Sequence, residues 1–472
     1  KEAMMSFRQL DLFNQPLDLG KNDNVLLGKA REPIVTKYKH GVEEVYKHAQ
    51  QSTANIKALI PNIPHELVTD LSRLEEYLTN ILKVGAVAID TETSGLDPRR
   101  ERLGGISMYT EGESAIYIPI GHHFYKNNVD ARDFITRLTQ YTYQGKIKVF
   151  MHNGRYDNQV FRRYTGLPMY IYFDTLIASA VLDENEYDIS PTGEYVEVPK
   201  GAHGLKRLWN KYCVANKYKS MSYSDLFENR DYTTFDPEQV YVYATLDSVM
   251  TWQLGMYQLP YLTQGSQLNL KYGLQQVANV FWHIEMPVSA IAEKMEWRGV
   301  RYSREKNLEL QKTMEKDIRV ATKKFVSRLD KIVEENKHNA SLLSLDKLTD
   351  PINPMSSTQM NIILFEIMGL KLSDQAKRQI RRQKSKSGKH KSLEDIPWES
   401  SGKIAQQDIN TNYPEHVELI QEFRDLKGLQ KLYTSFVIGL RKLYNEETDS
   451  IHGGWNTVGT LTGRLSSSNP NL

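Results

Sequence analysis

The stretch VGAVAIDTETSGLDP, residues 84–98, decides the fold. Its first half is a short apolar run, typical of a buried β-strand, which ends on the carboxylate of Asp90. Glu92 follows two residues later, and alternate residues of a strand face the same side of a sheet. Two neighbouring carboxylates repel each other unless a cation lies between them, and oxygen ligands favour Mg²⁺ or Mn²⁺. The pattern indicates a divalent-metal site, although Asp-x-Glu also occurs in ordinary turns.

Further strand-like runs surround this segment. Residues 104–110 and 114–120 predict two more strands, and residues 146–153 predict another. The segment 153–166 then predicts a helix with Asn153 as its N-cap. Strands that alternate with helices indicate an α/β domain, which we place at residues 63–265.

Two helical segments add acidic residues to this domain. Asp157 follows Asn153 by four residues in HNGRYD, and Asp247 follows Tyr243 by four in YATLD, so each pair shares a helix face. A charged Asp in the apolar helix around residue 247 requires a partner. Each carboxylate alone is also consistent with a helix cap or a salt bridge. Together they suit a two-metal phosphoryl site in which Tyr243 orients the attacking water.

The composition is that of a globular protein of several domains. The 472 residues are 40% hydrophobic and 25% charged, with a net charge of +2. The apolar runs are too short for a bilayer, and the first residues lack the apolar core of a signal peptide. We therefore expect no membrane partner and a cytoplasmic location. The single cysteine, Cys213, excludes an internal disulfide and fits a reducing compartment.

Beyond residue 265 the sequence is mostly helical. Apolar residues recur every three or four positions from Leu310 to Ile332, behind an N-cap at Ser303, which predicts a long helix with one packed face. Residues 414–444 predict a second helical stretch. Such periodic stripes indicate packing and carry no functional signal of their own.

A basic segment interrupts this helical region. Residues 377–391 read KRQIRRQKSKSGKHK and contain almost no acid. A solvated loop and a phosphate-contacting arm are both consistent with this composition. We predict a mobile basic loop that orders on a polyanion, with Arg381 and Arg382 among its phosphate-contacting residues.

The acidic motifs resemble those of the DEDDy 3′–5′ proofreading exonucleases. FDT at residues 173–175 fits the same domain of the family A, or bacterial DNA polymerase I-type, enzymes. The resemblance implies a ribonuclease H-like fold and two-metal hydrolysis of the 3′-terminal phosphodiester of single-stranded ends. It implies that two divalent cations, Mg²⁺ or Mn²⁺, are bound by the catalytic carboxylates, while Tyr243 positions water. The implied metal ligands are Asp90, Glu92, Asp157 and Asp247, with Asp90 bridging the two ions.

The same resemblance implies two contacts with the substrate strand. Leu96, six residues after Asp90, matches the apolar wedge that the family places against the terminal base. Asn153 is implied to contact the unpaired strand.

The resemblance extends past the nuclease motifs. IEMP (284–287) and RGV (298–300) resemble the connection between exonuclease and polymerase in family A enzymes. SSTQMNIILFE (356–366) resembles the thumb motif that grips duplex DNA, which implies phosphate contacts by Ser356, Ser357 and Thr358. TLTGRLSSSNPNL (460–472) resembles the start of the palm, where Arg464 is implied to reach the minor groove.

These resemblances define the expected organisation. We predict an α/β ribonuclease H-like exonuclease domain at 63–265, a connection at 266–302, a mostly α-helical thumb at 303–450 and the start of an α+β palm at 451–472. An N-terminal extension, 1–62, resembles the shorter phage-type arrangement. The family places its polymerase carboxylates and fingers beyond this region, so we expect these residues to degrade 3′ ends but not to polymerise. The remainder of the polymerase and primer-template DNA are the implied partners.

The N-terminal segment contains QLDLF, residues 9–13, which resembles the bacterial sliding-clamp motif. In an extended tail, two apolar side chains would fill a pocket while a glutamine hydrogen-bonds at its edge. The alternative is a tail that folds back onto its own domain. The implied clamp-binding residues are Gln9, Leu10, Leu12 and Phe13.

Three functions are consistent with these sequence features. The first is a family A DNA polymerase, a nucleotidyltransferase of DNA replication, represented by its proofreading exonuclease and thumb. The second is a free-standing DEDDy exonuclease acting on DNA or RNA ends. The third is a non-catalytic clamp- and DNA-binding accessory module. The palm-like motif at 460–472 favours the first function over the second, and the intact carboxylate set disfavours the third.

Overall fold

The computed structural model describes residues 38–183, 203–214, 222–385, 402–459 and 463–470, and the backbone of 187–189 and 195–197. The chain divides into two compact units. The first unit comprises the residues up to Trp297 together with Trp455–Ser468, and the second comprises Arg298–Gly454 with the last residues. The predicted clamp-binding residues lie outside the described part of the chain: Gln9, Leu10, Leu12 and Phe13.

A six-stranded mixed sheet forms the centre of the first unit. The strand order is β1-β4-β3-β2-β5-β6. Strands β2, β3 and β4 form an antiparallel meander, while β5 and β6 continue parallel to β2, and β1 lies parallel to β4. The strands are β1 His65–Leu67, β2 Ala86–Thr93, β3 Leu103–Tyr109, β4 Ala115–Pro119, β5 Lys148–Met151 and β6 Ile171–Asp174.

Helices cover both faces of this sheet. Val87 and Ile89 of β2 belong to one apolar cluster with the α2, α3 and α4 side chains, whereas Ala88 belongs to another with α5, α6 and α8. This alternation follows from the period of two along a strand, and it places Asp90 on the α8 side. The helices are α1 Val42–Lys57, α2 Leu71–Val84, α3 Arg132–Tyr143, α4 Arg155–Thr165, α5 Thr175–Leu182, α6 Leu205–Tyr212, α7 Tyr223–Phe227, α8 Pro237–Leu262, α9 Gln267–Lys271, α10 Gln275–Val280 and α11 Met286–Arg298, with a 3₁₀ turn at Tyr232–Thr234 and a π segment at Phe281–Glu285.

The second unit is mostly helical. Its apolar core joins Phe325 and Leu329 to Ile363, Ile380 and Phe423. The helices are α12 Arg304–Asn336, α13 Leu342–Leu345, α14 Ser357–Asn361, α15 Asp374–Ser385, α16 Lys403–Asn412, α17 Val417–Leu432 and α18 Gly439–Leu443, with 3₁₀ turns at Lys337–Asn339 and Pro414–His416 and π segments at Ile362–Ile367 and Tyr433–Ile438.

Short strands complete the two units. A three-stranded antiparallel sheet has the order β10-β11-β9, and two strand pairs are formed by β7 with β8 and by β12 with β13. The strands are β7 Tyr187–Ile189, β8 Tyr195–Glu197, β9 Val300–Arg301, β10 Tyr444–Asn445, β11 Ser450–Ile451, β12 Gly454–Asn456 and β13 Ser466–Ser468.

The structure differs from the sequence interpretation in two helical regions. Helix α12 begins at the predicted cap, since the Ser303 side chain accepts from the Lys306 amide. The apolar residues of its stripe are fully buried only toward the C-terminal end, however: Leu329 is fully buried, whereas Leu310 is 49% exposed. The spacing of a stripe indicates that a face is apolar, but it does not indicate how deeply each part of that face is buried.

The first part of the predicted basic loop is helical. Residues 377–385 belong to α15, and the residues from 386 to 391 lie outside the described part of the chain. Ala376 and Ile380 are both 4% exposed and anchor α15 to the apolar core of the second unit. Two apolar residues four positions apart are thus enough to dock a helix whose other side is basic.

No helix in the described part of the chain is both long and apolar enough to cross a bilayer.

Candidate active site: a carboxylate cluster at the sheet edge

Strand β2 carries the first two carboxylates of the site. Asp90 pairs with Ser107 and Glu92 with Gly105 in the β2–β3 ladder, and the register shifts after Glu92. Both side chains point to the α8 side of the sheet, since they have the parity of Ala88. The sequence prediction for this pair is therefore reproduced in the local geometry of β2.

Helix α8 brings a third carboxylate to the same place. The helix begins after Asp236, whose side chain accepts from the Glu238 amide, and Pro237 occupies its first turn. Most of its side chains are buried, so it passes through the interior with Asp247 in its middle. Oxygen atoms of Asp90, Glu92 and Asp247 lie within 4.8 Å of one another.

Asp157 joins the site from α4. Its Oδ1 accepts from the Thr91 amide at 2.9 Å and from the Thr91 hydroxyl at 2.6 Å. These two hydrogen bonds tie α4 to β2 at the residue between Asp90 and Glu92. Asp157 is not among the three carboxylates that approach within 4.8 Å, but its charge raises the pKa of Asp90.

The turn before α4 corrects one prediction. The N-cap of α4 is Gly154, and Asn153 adopts a left-handed conformation with φ of 58°. The carboxylate of Asp174 accepts from the amides of both residues, at 3.0 and 2.8 Å. A Cβ on Gly154 would lie 2.6 Å from the Cβ of Met151. The Asp of the FDT motif thus holds the turn that positions Asp157.

Burial and mutual repulsion disfavour ionisation of the cluster. The pKa of Asp90 is raised well above its ordinary value by burial and then by the charges of Asp157, Asp247 and Glu92. Burial, followed by the charge of Asp247, raises the pKa of Glu92 to about 8. Burial also raises the pKa of Asp157 to about 6, against the hydrogen bonds from Thr91. A divalent cation between these groups would remove the repulsion.

The donor set fits such a cation. All the ligand atoms are carboxylate oxygens, which suit Mg²⁺ or Mn²⁺. Oδ1 of Asp247 is buried and accepts no hydrogen bond, although an ammonium lies 3.3 Å away. A buried oxygen with an unused lone pair, facing two further carboxylates, is the arrangement expected of a metal ligand.

That ammonium belongs to Lys206, which the sequence interpretation missed. Lys206 lies on α6, and its Nζ donates to the Tyr243 hydroxyl at 2.6 Å. A signal for it was present in HGLKRLW, because Lys206 lies three residues before Trp209 on a helix whose Leu208 and Trp209 are fully buried. A lysine on an apolar helix face requires a buried partner.

Tyr243 lies above the cluster in an aromatic pocket. It is 5% exposed, and its ring makes an edge contact with Phe227 at a centroid distance of 4.9 Å. Burial raises its pKa, so the hydroxyl remains protonated at neutral pH and can donate a hydrogen bond.

The predicted strand contacts lie on loops that follow β2 and β5. These strands are parallel, so both loops leave the same edge of the sheet as the cluster. Leu96 is 92% exposed, and its loop is held by Tyr156, whose hydroxyl donates to the Gly95 carbonyl at 2.6 Å. Asn153 is also exposed.

The residues predicted to contact duplex DNA belong to other parts of the sequence than the carboxylate cluster. Ser356 caps α14 by accepting from the Gln359 amide, which leaves Ser357 and Thr358 exposed on its first turn. Arg464 is exposed and lies just before β13. On α15, Arg382 is exposed and Arg381 is half-buried.

A meander continued by parallel strands, with acidic residues converging at one edge, defines a ribonuclease H-like domain of the 3′–5′ exonuclease class. Residues 65–257 match the family model of 3′–5′ exonucleases, and residues 321–472 match that of DNA polymerase family A. The chain belongs to the family A DNA polymerases and contains their exonuclease domain. The fold and family inferred from the sequence motifs are therefore confirmed.

Similar proteins share this organisation. DNA polymerase I of Chloroflexus aurantiacus is 25% identical over 413 residues, which are 87% of this chain and 37% of that protein. The DNA polymerase of Escherichia phage T5 is 24% identical over 433 residues, or 85% of this chain and 42% of that protein. The chain thus spans about two fifths of the length of these relatives.

A solved structure has the same fold. The POL domain of Pol1 from M. smegmatis, in complex with DNA primer-template and dNTP, aligns with a TM-score of 0.54 at 14% identity. The alignment covers 86% of this chain and 55% of that chain.

Proposed function

We propose that the first unit is a 3′–5′ exonuclease that shortens single-stranded DNA ends and proofreads for a family A DNA polymerase. The observation that carries the proposal is the convergence of Asp90, Glu92 and Asp247 within 4.8 Å. Asp157 and Tyr243 flank this cluster from α4 and α8. The nuclease assignment accounts for the presence of one buried and three half-buried acids at one sheet edge.

Two Mg²⁺ or Mn²⁺ ions, when bound, would activate water and stabilise the leaving oxygen. Asp90, Glu92, Asp157 and Asp247 are the residues that would hold these ions. The hydrogen bonds from Thr91 fix the Asp157 carboxylate relative to β2. Tyr243, as a neutral donor, orients the attacking water.

Exposed residues at the sheet edge would hold the substrate strand. Leu96 presents an apolar side chain on a loop that Tyr156 makes rigid, so it is suited to wedge against the terminal base. Asn153 presents an amide beside the turn that precedes α4. Both residues contact the strand without taking part in hydrolysis.

Residues outside the nuclease site would bind duplex DNA. Ser356, Ser357 and Thr358 lie at the N-terminus of α14 and would contact phosphates, as would Arg381 and Arg382 on α15. Arg464 would test base-pair geometry in the minor groove, whose acceptors are nearly the same for every correct pair.

Template-directed synthesis is the function proposed for the whole polymerase. The match of residues 321–472 to the polymerase family favours this over a free-standing exonuclease. Binding of a sliding clamp through Gln9, Leu10, Leu12 and Phe13, and a cytoplasmic location in a bacterium or an infected cell, are further parts of the proposal. Surface plasmon resonance against a bacterial clamp tests clamp binding. Loss of affinity in Phe13→Ala would support it, and unchanged affinity would refute it.

Metal-dependent degradation tests the nuclease. The protein is stripped with EDTA and incubated with a 5′-labelled single-stranded oligonucleotide, with or without Mg²⁺. We expect a ladder that shortens from the 3′ end only with the metal, and its loss in Asp247→Asn. Asp133→Ala is the matched control, because Asp133 lies on the exposed side of α3 and pairs with Arg137. Wild-type protein that leaves the 3′ end intact with Mg²⁺, and also with Mn²⁺ in its place, would refute the proposal.

A further inference from the structure

The ammonium of Lys206 lies beside Asp247 in the acidic site. Its Nζ is 2.6 Å from the Tyr243 hydroxyl oxygen and 3.3 Å from Oδ1 of Asp247. It also lies 3.9 Å from the centroid of the Tyr243 ring. One lysine thus contacts the two residues of α8 that the nuclease site uses.

The position of Lys206 is fixed by the packing of α6. Trp209, one turn later, is fully buried, and its indole donates to Oε1 of Gln253 on α8 at 2.7 Å. Just before the helix, the His203 ring hydrogen-bonds to the Ser179 hydroxyl at 2.9 Å. The two anchors hold α6 against α8 and α5, so the lysine is aimed into the site by its helix.

Lys206 lies beside a carboxylate that can pair with its charge. Its Nζ is 3.3 Å from Oδ1 of Asp247, which is within the range of an ion pair. An ammonium carries three hydrogens, so Lys206 can donate to the Tyr243 oxygen while it pairs with Asp247.

A donor in this position determines where the Tyr243 hydrogen points. An ammonium has three hydrogens and no lone pair, whereas a phenol has one hydrogen and accepts through its oxygen. Because Lys206 can only donate, the Tyr243 hydrogen is directed away from it. Among the described residues, no hydrogen-bond partner other than Lys206 contacts this hydroxyl, so its hydrogen is available to another acceptor.

We propose that Lys206 is a positioning residue of the exonuclease: by donating to the Tyr243 oxygen, it turns the Tyr243 hydrogen toward the attacking water. The inference rests on the exonuclease function proposed above. Lys206 acts through Tyr243 and does not itself touch the reacting atoms. Its effect on catalysis should therefore disappear when the hydroxyl of Tyr243 is removed.

A double-mutant cycle tests this dependence. Lys206→Met, Tyr243→Phe and the double variant are compared in single-stranded DNA degradation at saturating Mg²⁺. We expect Lys206→Met to lower kcat by about tenfold to a hundredfold, as for a lost hydrogen bond to a charged group, with little change in KM. In the Tyr243→Phe background the same change should cost less than about twofold. Equal losses in both backgrounds would overturn the proposal.

Two further variants separate geometry from charge. Lys206→Arg keeps the charge and the donors, so it should retain more kcat than Lys206→Met. Lys211→Met removes the same charge from the same helix and should leave kcat at the wild-type value. An arginine variant as slow as the methionine variant, with its fold intact by circular dichroism, would count against the donor role.

Metal binding supplies a readout that does not depend on turnover. Mn²⁺ titrated calorimetrically into Lys206→Met should bind at least as tightly as to wild type, because a competing cation has been removed. Loss of Mn²⁺ binding in the folded variant would assign Lys206 to holding the carboxylates and overturn its role through Tyr243. If the wild-type protein does not degrade DNA, the proposed exonuclease function is wrong. If the wild type is active but the losses from the two single variants simply add in the double variant, only the proposed role of Lys206 is wrong.

Discussion

Two long helices of this protein use charge in opposite ways. Helix α8 passes through the interior of the first unit, and Asp247 is a charge in a largely buried segment. Helix α12 is longer and highly charged, but only Asn307, Phe325, Val326 and Leu329 are buried along it. Most of the charges on α12 face water, where an ion pair contributes about 0 to 1 kcal/mol.

The difference explains which charges are informative in a sequence. A buried carboxylate costs several kcal/mol unless a partner compensates it, so its presence in an apolar helix requires an explanation. For Asp247 the partners are the Lys206 ammonium and, as proposed, a divalent cation. A charge on α12 requires no partner.

Removal of one cluster carboxylate should have the largest effect. Asp90→Ala is expected to slow 3′–5′ degradation by about a thousandfold or more, because metal stabilisation is worth several kcal/mol. In EDTA the same variant should unfold at a higher temperature than wild type, since a repelling charge is gone. Single-turnover degradation and calorimetry measure the two effects. Substantial activity in Asp90→Ala would show that this carboxylate is no more important for function than the exposed charges of α12.

On α12 the large effect should come from packing. Phe325 is 2% exposed and stacks on Phe423 at a centroid distance of 5.7 Å. Phe325→Ala should destabilise the second unit by about 3–5 kcal/mol. Leu310→Ala, at the half-exposed end of the same stripe, should change stability by less than about 0.5 kcal/mol. Chemical unfolding of the whole chain measures the free energy of unfolding of both variants. Equal losses of stability would mean that the apolar face of α12 is packed evenly along its length, as the sequence predicts.

The stability of the metal-free site should depend on pH. The pKa of Glu92 is about 8 in the folded protein, so between its ordinary value and pH 8 the folded state binds more protons than the unfolded state. Raising the pH from 5 to 8 in EDTA should therefore lower stability, by up to about 1.4 kcal/mol per pH unit for this group.

Two comparisons identify the cause of that pH dependence. Mg²⁺ should reduce the loss, because it binds the ionised form and stabilises the folded state. Glu92→Gln should flatten the profile in EDTA. Stability that rises with pH in the metal-free wild type would show that the carboxylates do not repel one another.

Removal of the exposed Leu96 side chain should have a smaller effect, which is limited to substrate binding. Leu96→Ala should leave the unfolding temperature unchanged, because the side chain is 92% exposed. Its lost contact with the terminal base should raise KM for single-stranded DNA by about fivefold, equivalent to about 1 kcal/mol. Steady-state kinetics separate KM from kcat. A fall in kcat alone would place Leu96 in the chemical step instead.

The basic helix should show the smallest effect. The double variant Arg381→Ala, Arg382→Ala is expected to weaken duplex binding by a few fold. It should also reduce the slope of log affinity against log salt concentration by about 1 to 2, because fewer phosphates are neutralised and fewer counterions are released on binding. The control changes Arg304 and Lys337, which pair with Glu446 and Glu334. Fluorescence anisotropy at several salt concentrations measures both. An unchanged slope would mean that α15 does not touch phosphate.

The sequence was most informative where a local pattern carried the chemistry. The Asp-x-Glu pair on β2 and the Tyr-x-x-x-Asp pair on α8 were predictable, because strand and helix periods determine which side chains share a face. The cap of α4 was not predictable from residue type. Asn153 is a common cap, but the two hydrogen bonds to Asp174 instead stabilise it in a left-handed conformation. That contact spans about twenty residues of chain.

By itself, the sequence determined the family, the order of the domains and the acidic residues of the candidate site, because periodicity and motif spacing are local properties of the chain. The tertiary structure was needed to show that Lys206 faces Tyr243 and Asp247, that the stripe of α12 is fully buried over only part of its length and that the start of the basic segment is helical. Each of these depends on which element packs beside another. Contacts of that kind arise when distant segments share a core, and local spacing does not encode them.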